Sequence, residues 1–314
     1  MATQKRVFLI IIAVVLMQLG GFAQSNSSQI DAAKTDAQVQ NLVRSVDKYY
    51  ANFTVKSSLR FEDKRVEKQY RKAGVKAWEK ADFDGNGHTD LLITGTHYDQ
   101  ESKVICLLNM GESLVLEPFD RQFYQACPIA RISYDGKQPL VSYTDFEKPF
   151  LSIDSLQGKK VFSLIYKYGG FIEYNKNSVQ VPALDSMMYE SSFAYHEVME
   201  SKLTMDAAGK ASYNSCEWPV LDEAKKQCEK LTGTIGAQSF SDIVGLIYYI
   251  DPVHLKPKYR VNVNHVPYAT LRFSYAGNRK VEISDRGETG TFGLMRLYAL
   301  LGQLRKTQQW QSAH

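Results

Sequence analysis

The spacing of apolar residues changes several times along the chain, and each change predicts a different element. Val7 to Leu19 is a run of thirteen mostly apolar residues, preceded by Lys5 and Arg6 and followed by Gly20, Gly21, Phe22, Ala23 and Gln24. A basic start, an apolar stretch and small residues before a cut are the pattern of a secretory signal, here residues 1–23. A membrane helix needs about 20 apolar residues, so the run predicts a cleaved signal and no membrane span in what remains. Residues 24–34 are small and polar and predict a flexible leader. Thr35 and Gln38 then have capping-box spacing. Val39, Leu42, Val43, Val46 and Tyr50 share one helical face and predict a helix ending near Asn52.

From Phe53 to Tyr174 the period shortens to that of strands. The runs are Val75–Trp78, Leu91–Thr96, Val104–Leu108, Leu114–Leu116, Ala130–Tyr134, Leu140–Tyr143 and Val161–Tyr166, separated by turn signals such as Asp135-Gly136 and Gly169-Gly170. Asn175 to Asp185 is polar, contains Pro182 and has no period. The expected organisation is therefore a β-rich domain over 35–175, a linker at 176–188 and a second domain over 189–314. In the latter, strands are expected at Phe193–Met205, Lys210–Cys216 and Gln227–Ile235, then a helix from Ser239 or Ser241 to Ile250, stopped by Asp251-Pro252. Leu271, Phe273 and Tyr275 alternate with polar neighbours before Gly277-Asn278 turns the chain into Val281 and Ile283, which predicts a hairpin with one buried face. Leu294, Leu297, Tyr298, Leu301 and Leu304 form one stripe of a last helix, Phe292–Gln308. The fold class that follows is α+β: a mostly antiparallel β domain with a leading helix, then an antiparallel sheet with two packed helices.

Composition narrows the function classes. Removal of the signal leaves 36 basic residues against 34 acidic ones, a charge near +2 with no concentrated basic face, so no nucleic-acid partner is expected. The four cysteines, Cys106, Cys127, Cys216 and Cys228, allow three connectivities in an oxidising compartment, or remain buried thiols. Short loop closures favour Cys106 with Cys127 and Cys216 with Cys228.

Candidate chemistry concentrates at residues 82–90, which read Asp82, Phe83, Asp84, Gly85, Asn86, Gly87, His88, Thr89, Asp90. Oxygen side chains at positions one, three, five and nine converge on one hard cation, the His88 carbonyl at position seven can join them, and Gly87 permits the sharp turn. Ile93 stands at position twelve, where an EF-hand carries a glutamate, so the loop is not an EF-hand. An ordinary hairpin turn also uses Asp, Asn and Gly, but gains nothing from three mutually repelling carboxylates. Flanked by strands, Ala81 to Gly95 resembles the calcium loops of FG-GAP and VCBS repeats. That resemblance implies a structural Ca2+ held by Asp82, Asp84, Asn86, His88 and Asp90, with no position left open for activating water. One good copy is present, so no propeller is expected.

Other constellations fail. His196, Glu197 and Glu200 lack the second histidine of a zinc-protease helix and lie in a strand-like segment. Gly287, Gly290 and Gly293 have neither dinucleotide nor Walker spacing and read as a glycine-adapted turn. No nucleophile elbow is present, and no cysteine has a catalytic signature. The C-terminal third, from Tyr248-Tyr249-Ile250-Asp251 through Asp285, Gly287, Gly290 and Gly293 to Trp310, resembles a family of uncharacterised domains in exported bacterial proteins, a resemblance that implies no activity. The expected function is an exported, calcium-stabilised binding or interaction module, periplasmic or secreted, whose partner is an extracytoplasmic protein or glycan. The competing expectation is a calcium-dependent hydrolase of envelope or extracellular polymers; a purely architectural envelope protein is a third. No catalytic residue is assigned.

Overall fold

The computed structural model describes residues 26–59, 64–98, 101–119, 128–147, 157–176 and 182–313. Residues 1–23 of the expected signal lie outside them. The architecture is α+β, with three mostly antiparallel sheets and several helices, as the patterning requires. The described residues fall into two compact units, those of Met1–Phe119 with Ile129–Ile132 and those of Asp120–Pro128 with Ser133–His314.

The first unit opens with helix α1 (Asn26–Ala32), where a flexible leader was expected. Ile30 and Ala33 are buried in the unit's core, and two apolar positions in a polar stretch are too few to show a period. Helix α2 (Asp36–Val46) follows, capped by the Thr35–Gln38 box, with Val39 and Val43 buried one turn apart. It stops short of Asn52 because Asp47 is extended and its carboxylate caps a 3-10 turn, Lys48–Asn52. Strand β1 (Phe53–Val55) precedes helix α3 (Lys64–Ala73), which lies in the stretch expected to be all strand. Its surface is nearly all charged, with Glu67 paired to Lys64 and Arg71, and Tyr70 is buried. The sheet is completed by β2 (Trp78–Ala81), β3 (Asp90–His97), β4 (Glu101–Asn109) and β5 (Leu114–Pro118), in the order β1-β3-β4-β5 with β2 also on β3.

Strand β6 (Ile129–Asp135) carries the chain into the second unit, where β7 (Gln138–Glu147), β8 (Gln157–Lys167) and β9 (Gly170–Glu173) continue a four-stranded sheet. The expected linker at 176–188 is not where the chain divides. Leu184 to Met188 already belong to β10 (Leu184–Ala194), an interior strand of an eight-stranded sheet, and Glu173 of β9 is tied to a helix of the same unit. That sheet also contains β11 (Glu197–Asp206), β12 (Lys210–Pro219), β13 (Gln227–Thr234), β14 (Lys258–Arg260), β15 (Tyr268–Tyr275), β16 (Arg279–Arg286) and β17 (Gln311–Ser312). The strand expected over Phe193–Met205 is two strands folded back at Tyr195-His196, a turn made without glycine, proline, asparagine or aspartate. Helices α4 (Ala237–Ile250) and α5 (Phe292–Thr307) cover one face, packing Ile243, Leu246, Ile247, Leu294, Leu297 and Leu301 onto Met187, Leu203, Leu271 and Phe273. Gly277 and Asn278 both have positive φ in the three-residue turn, residues 276–278, that joins β15 to β16.

The disulfide joins Cys216 to Cys228, directly opposed on β12 and β13. Cys106 is a buried free thiol, its pKa pushed well up by burial, and Cys127 lies outside the described residues. The expected 106–127 bridge is therefore not formed. Cys106 is fully enclosed on β4, directly opposite Leu92 of β3.

Two glycines in different settings test this packing. A Cβ at Gly95 would stand 2.2 Å from the Thr54 carbonyl oxygen and 2.7 Å from the Phe53 ring, whereas one at Gly302 of α5 would meet nothing within 4 Å. Gly95→Ala is expected to cost about 1–3 kcal/mol by overpacking the β1–β3 contact. Gly302→Ala is expected to stabilise by up to about 1 kcal/mol through helix propensity. Denaturant unfolding of both variants should give opposite signs; equal signs would contradict this packing.

Candidate metal centre

The loop between β2 and β3 is built around carboxylates that accept its own amides. Asp82 Oδ1 accepts from the amides of Gly85 (2.8 Å) and Asn86 (3.1 Å), and Oδ2 from Gly87 (2.9 Å). Asp84 Oδ1 accepts from the Asn86 amide at 3.1 Å. Gly85 and Gly87 have φ of +73° and +84°, a conformation costly for residues with a Cβ. These bonds curl the backbone so that its side-chain oxygens point inward.

Asp90, the first residue of β3, is completely buried. Its Oδ2 accepts from the Phe83 amide at 2.8 Å and its Oδ1 from the Asn109 amide at 2.7 Å, so one carboxylate fixes both the start of the loop and the end of β4. Phe83 is buried beside it, anchoring the loop by an apolar side chain between two acidic ones. Burial is the main cause that pushes the Asp90 pKa up to about 6; Asp84 and Asp82 add to it by repulsion, and the two amides oppose it. Asp84 is raised as well, first by burial and then by Asp82.

Of the five residues expected from sequence, the structure brings three together. Oxygens of Asp82, Asp84 and Asp90 all lie within 4.8 Å of one another, a group able to hold a metal ion. Asn86 joins its edge, with Nδ2 donating to Asp84 Oδ2 (3.0 Å) and to the Asn109 carbonyl (2.8 Å). The His88 amide donates to Asn86 Oδ1 at 2.7 Å, and its ring stands beside Gly111. The donor set is carboxylate oxygen throughout, which suits a hard cation rather than a thiophilic one. Among the described residues, no lysine or arginine pairs with any of the three carboxylates.

Sequence reasoning missed Asn109. It is fully buried, ties the loop through its amide and carbonyl, and turns β4 towards Gly111 by accepting that amide on Oδ1. The available signal was Asn109-Met110-Gly111, a turn motif whose packing against residues twenty positions earlier no local pattern reveals. The discarded glycine segment behaves as a turn. Gly290 donates to Asp285 Oδ2, and the amides of Phe292 and Gly293 at the start of α5 are taken by Glu173, which leaves them closed to an outside anion. His196 lies in the β10–β11 turn, and Glu197 and Glu200 lie in β11. No family model and no curated protein matches the sequence.

The raised Asp90 pKa sets a pH dependence in metal-free protein. Because the folded-state value, about 6, lies above the ordinary 3.8, the folded form binds more protons in that interval, and stability falls as pH rises through it. In chelator, the stability of wild type relative to Asp90→Asn should decline from about pH 4 to about pH 6.5 by denaturant unfolding. A pH-independent difference would show that Asp90 is not held in this way.

Proposed function

We propose that the chain is an exported binding or interaction module whose first unit is pinned by one calcium ion, held by Asp82, Asp84 and Asp90 with Asn86 and the His88 carbonyl. The observation that carries the reading is the convergence of three carboxylates with, among the described residues, no cationic side chain paired to them. A divalent ion relieves that repulsion, and calcium takes six to eight oxygen ligands from a flexible loop. In its place the ion closes the β2–β3 hairpin onto the end of β4, a structural role. The disulfide supports an oxidising, extracytoplasmic setting, periplasmic or secreted. Among the described residues no helix is long and apolar enough to cross a membrane.

The binding half of the proposal draws support from one end of the eight-stranded sheet. Tyr195, Met199, Val220, Leu221 and Tyr268 are exposed there; the Val220 amide bonds the His196 carbonyl, and Tyr268 lies opposite Ser192. They are spread over both faces, Met199 opposite Phe193 and Tyr268 opposite Ser192, and exposed large apolar side chains are what a partner site offers. A calcium-dependent hydrolase ranks second. Its one favourable feature is a histidine–carboxylate pair, His254 Nδ1 to Asp251 Oδ2 at 2.5 Å. That pair sits in the turn closing α4, with no hydroxyl or thiol nucleophile bonded to it among the described residues.

Calorimetric titration of calcium into chelator-treated protein tests the proposal. Saturable binding is expected, with stabilisation of about 2.7 kcal/mol at a hundredfold excess over Kd, and both effects should vanish in the Asp82→Ala, Asp84→Ala double variant. Absence of heat and of a melting shift in the wild type would leave an ordinary turn.

A further inference from the structure

Past helix α5, the helix-side face of the eight-stranded sheet stands open. The registers of β10 to β13 place successive rows on that face. Tyr189 and Leu203 lie opposite each other in a buried row, Tyr189 stacked on Tyr298 of α5 at 5.8 Å. The next row is Ser191, Ser201, Ser215 and Glu229, one residue from each strand, and the one after it is Phe193, Met199, Glu217 and Gln227. These two rows line a cavity of about 620 Å3, within the range of small-molecule sites.

The serine row has an acid at each end. Glu229 is clamped by Arg305 of α5, Nε at 2.6 Å and a terminal nitrogen at 2.7 Å, and accepts from Ser215 Oγ at 3.2 Å. At the other end Glu288 arrives from the loop after β16 with φ of +53°, a strained conformation for a glutamate. Its Oε1 accepts from Tyr189 Oη (3.3 Å) and Ser191 Oγ (3.1 Å). Between them the Ser201 hydroxyl makes no hydrogen bond among the described residues.

We propose that this groove binds a neutral saccharide, whose hydroxyls exchange hydrogen bonds with Ser201, Ser215 and Glu217 while a C–H face lies against Phe193 and Met199. Serine hydroxyls both donate and accept, and a carboxyl oxygen accepts, which matches a ligand carrying several O–H groups on an apolar ring. An anion is disfavoured because the cation at the row's end, Arg305, is already spent on Glu229. The larger hollow on the sheet, about 1320 Å3, is less suited: its Arg272 is engaged by Glu190 and Glu282.

The inference rests on the binding-module reading but concerns the second unit, so it and the calcium site can fail separately. The test is an array of neutral mono- to tetrasaccharides probed with the purified chain, each retained sugar then titrated calorimetrically with and without calcium. At least one sugar should be retained, with affinity falling tenfold or more in Ser201→Leu and in Glu217→Gln. Ser212→Leu, on the opposite face, should bind as wild type does. Should the leucine variant at 201 melt early, Ser201→Ala, which removes only the hydroxyl, should still weaken binding severalfold. Retention of no neutral sugar, or wild-type affinity in the folded Ser201 variants, overturns the proposal, whatever the calcium titration shows.

Discussion

Carboxylates placed to accept backbone amides hold the turns on which this protein's organisation depends. In the first unit Asp90 takes the amides of Phe83 and Asn109, joining a loop to the end of a strand nineteen residues later. In the second, Asp285 takes the Gly290 amide and the Tyr298 hydroxyl, and Glu173 takes the first amides of α5. Orphaned donors at loops and helix starts must find acceptors when buried, since an unmet one costs about 1–3 kcal/mol. A carboxylate serves two such donors at once, at the expense of bringing a charge out of water.

That expense shows in the pKa values. Asp90 is displaced upward although it accepts two good hydrogen bonds, so desolvation and the nearby Asp82 and Asp84 outweigh them. Glu229, more exposed and clamped by Arg305, is displaced downward instead. The same chemical group is thus left wanting a cation in the first unit and supplied with one in the second. This contrast, more than the count of acidic residues, is what singles out the Asp82, Asp84 and Asp90 group as one able to hold a metal ion.

The sequence made some of this legible. The capping box at Thr35, the alternation from Leu271 to Tyr275 and the stripe of α5 are local patterns written in contiguous residues, and each folds as its period dictates. The oxygen positions of the loop were equally visible because all its carboxylates fall within nine residues. What stayed hidden depends on distant partners or weak signals. Helix α1 and the residue that follows it bury only Ile30 and Ala33 among a polar stretch, α3 hides its helix under charge, and the Tyr195-His196 turn uses none of the usual turn residues. Asn109 and Glu173 act on amides 23 and 119 residues away, where periodicity carries no information. The serine row is the extreme case: Ser191, Ser201 and Ser215 are unremarkable until strand register sets them side by side.

Register also explains why such a row can act as a site. Alternation puts Cys216 and Cys228 on the face opposite Ser215 and Glu229, one residue away on the same two strands. The disulfide therefore locks the pairing that positions these polar groups, and a closed loop of this length removes about 3 kcal/mol of chain freedom from the unfolded state. The Arg305 clamp fixes the same strand pair from α5. Polar groups held by strands, a covalent bridge and an ion pair lose little further freedom when a ligand arrives, so even hydroxyl contacts of about 1 kcal/mol each add to measurable affinity. The β12–β13 pair is thus braced twice, by a covalent bridge and by an ion pair.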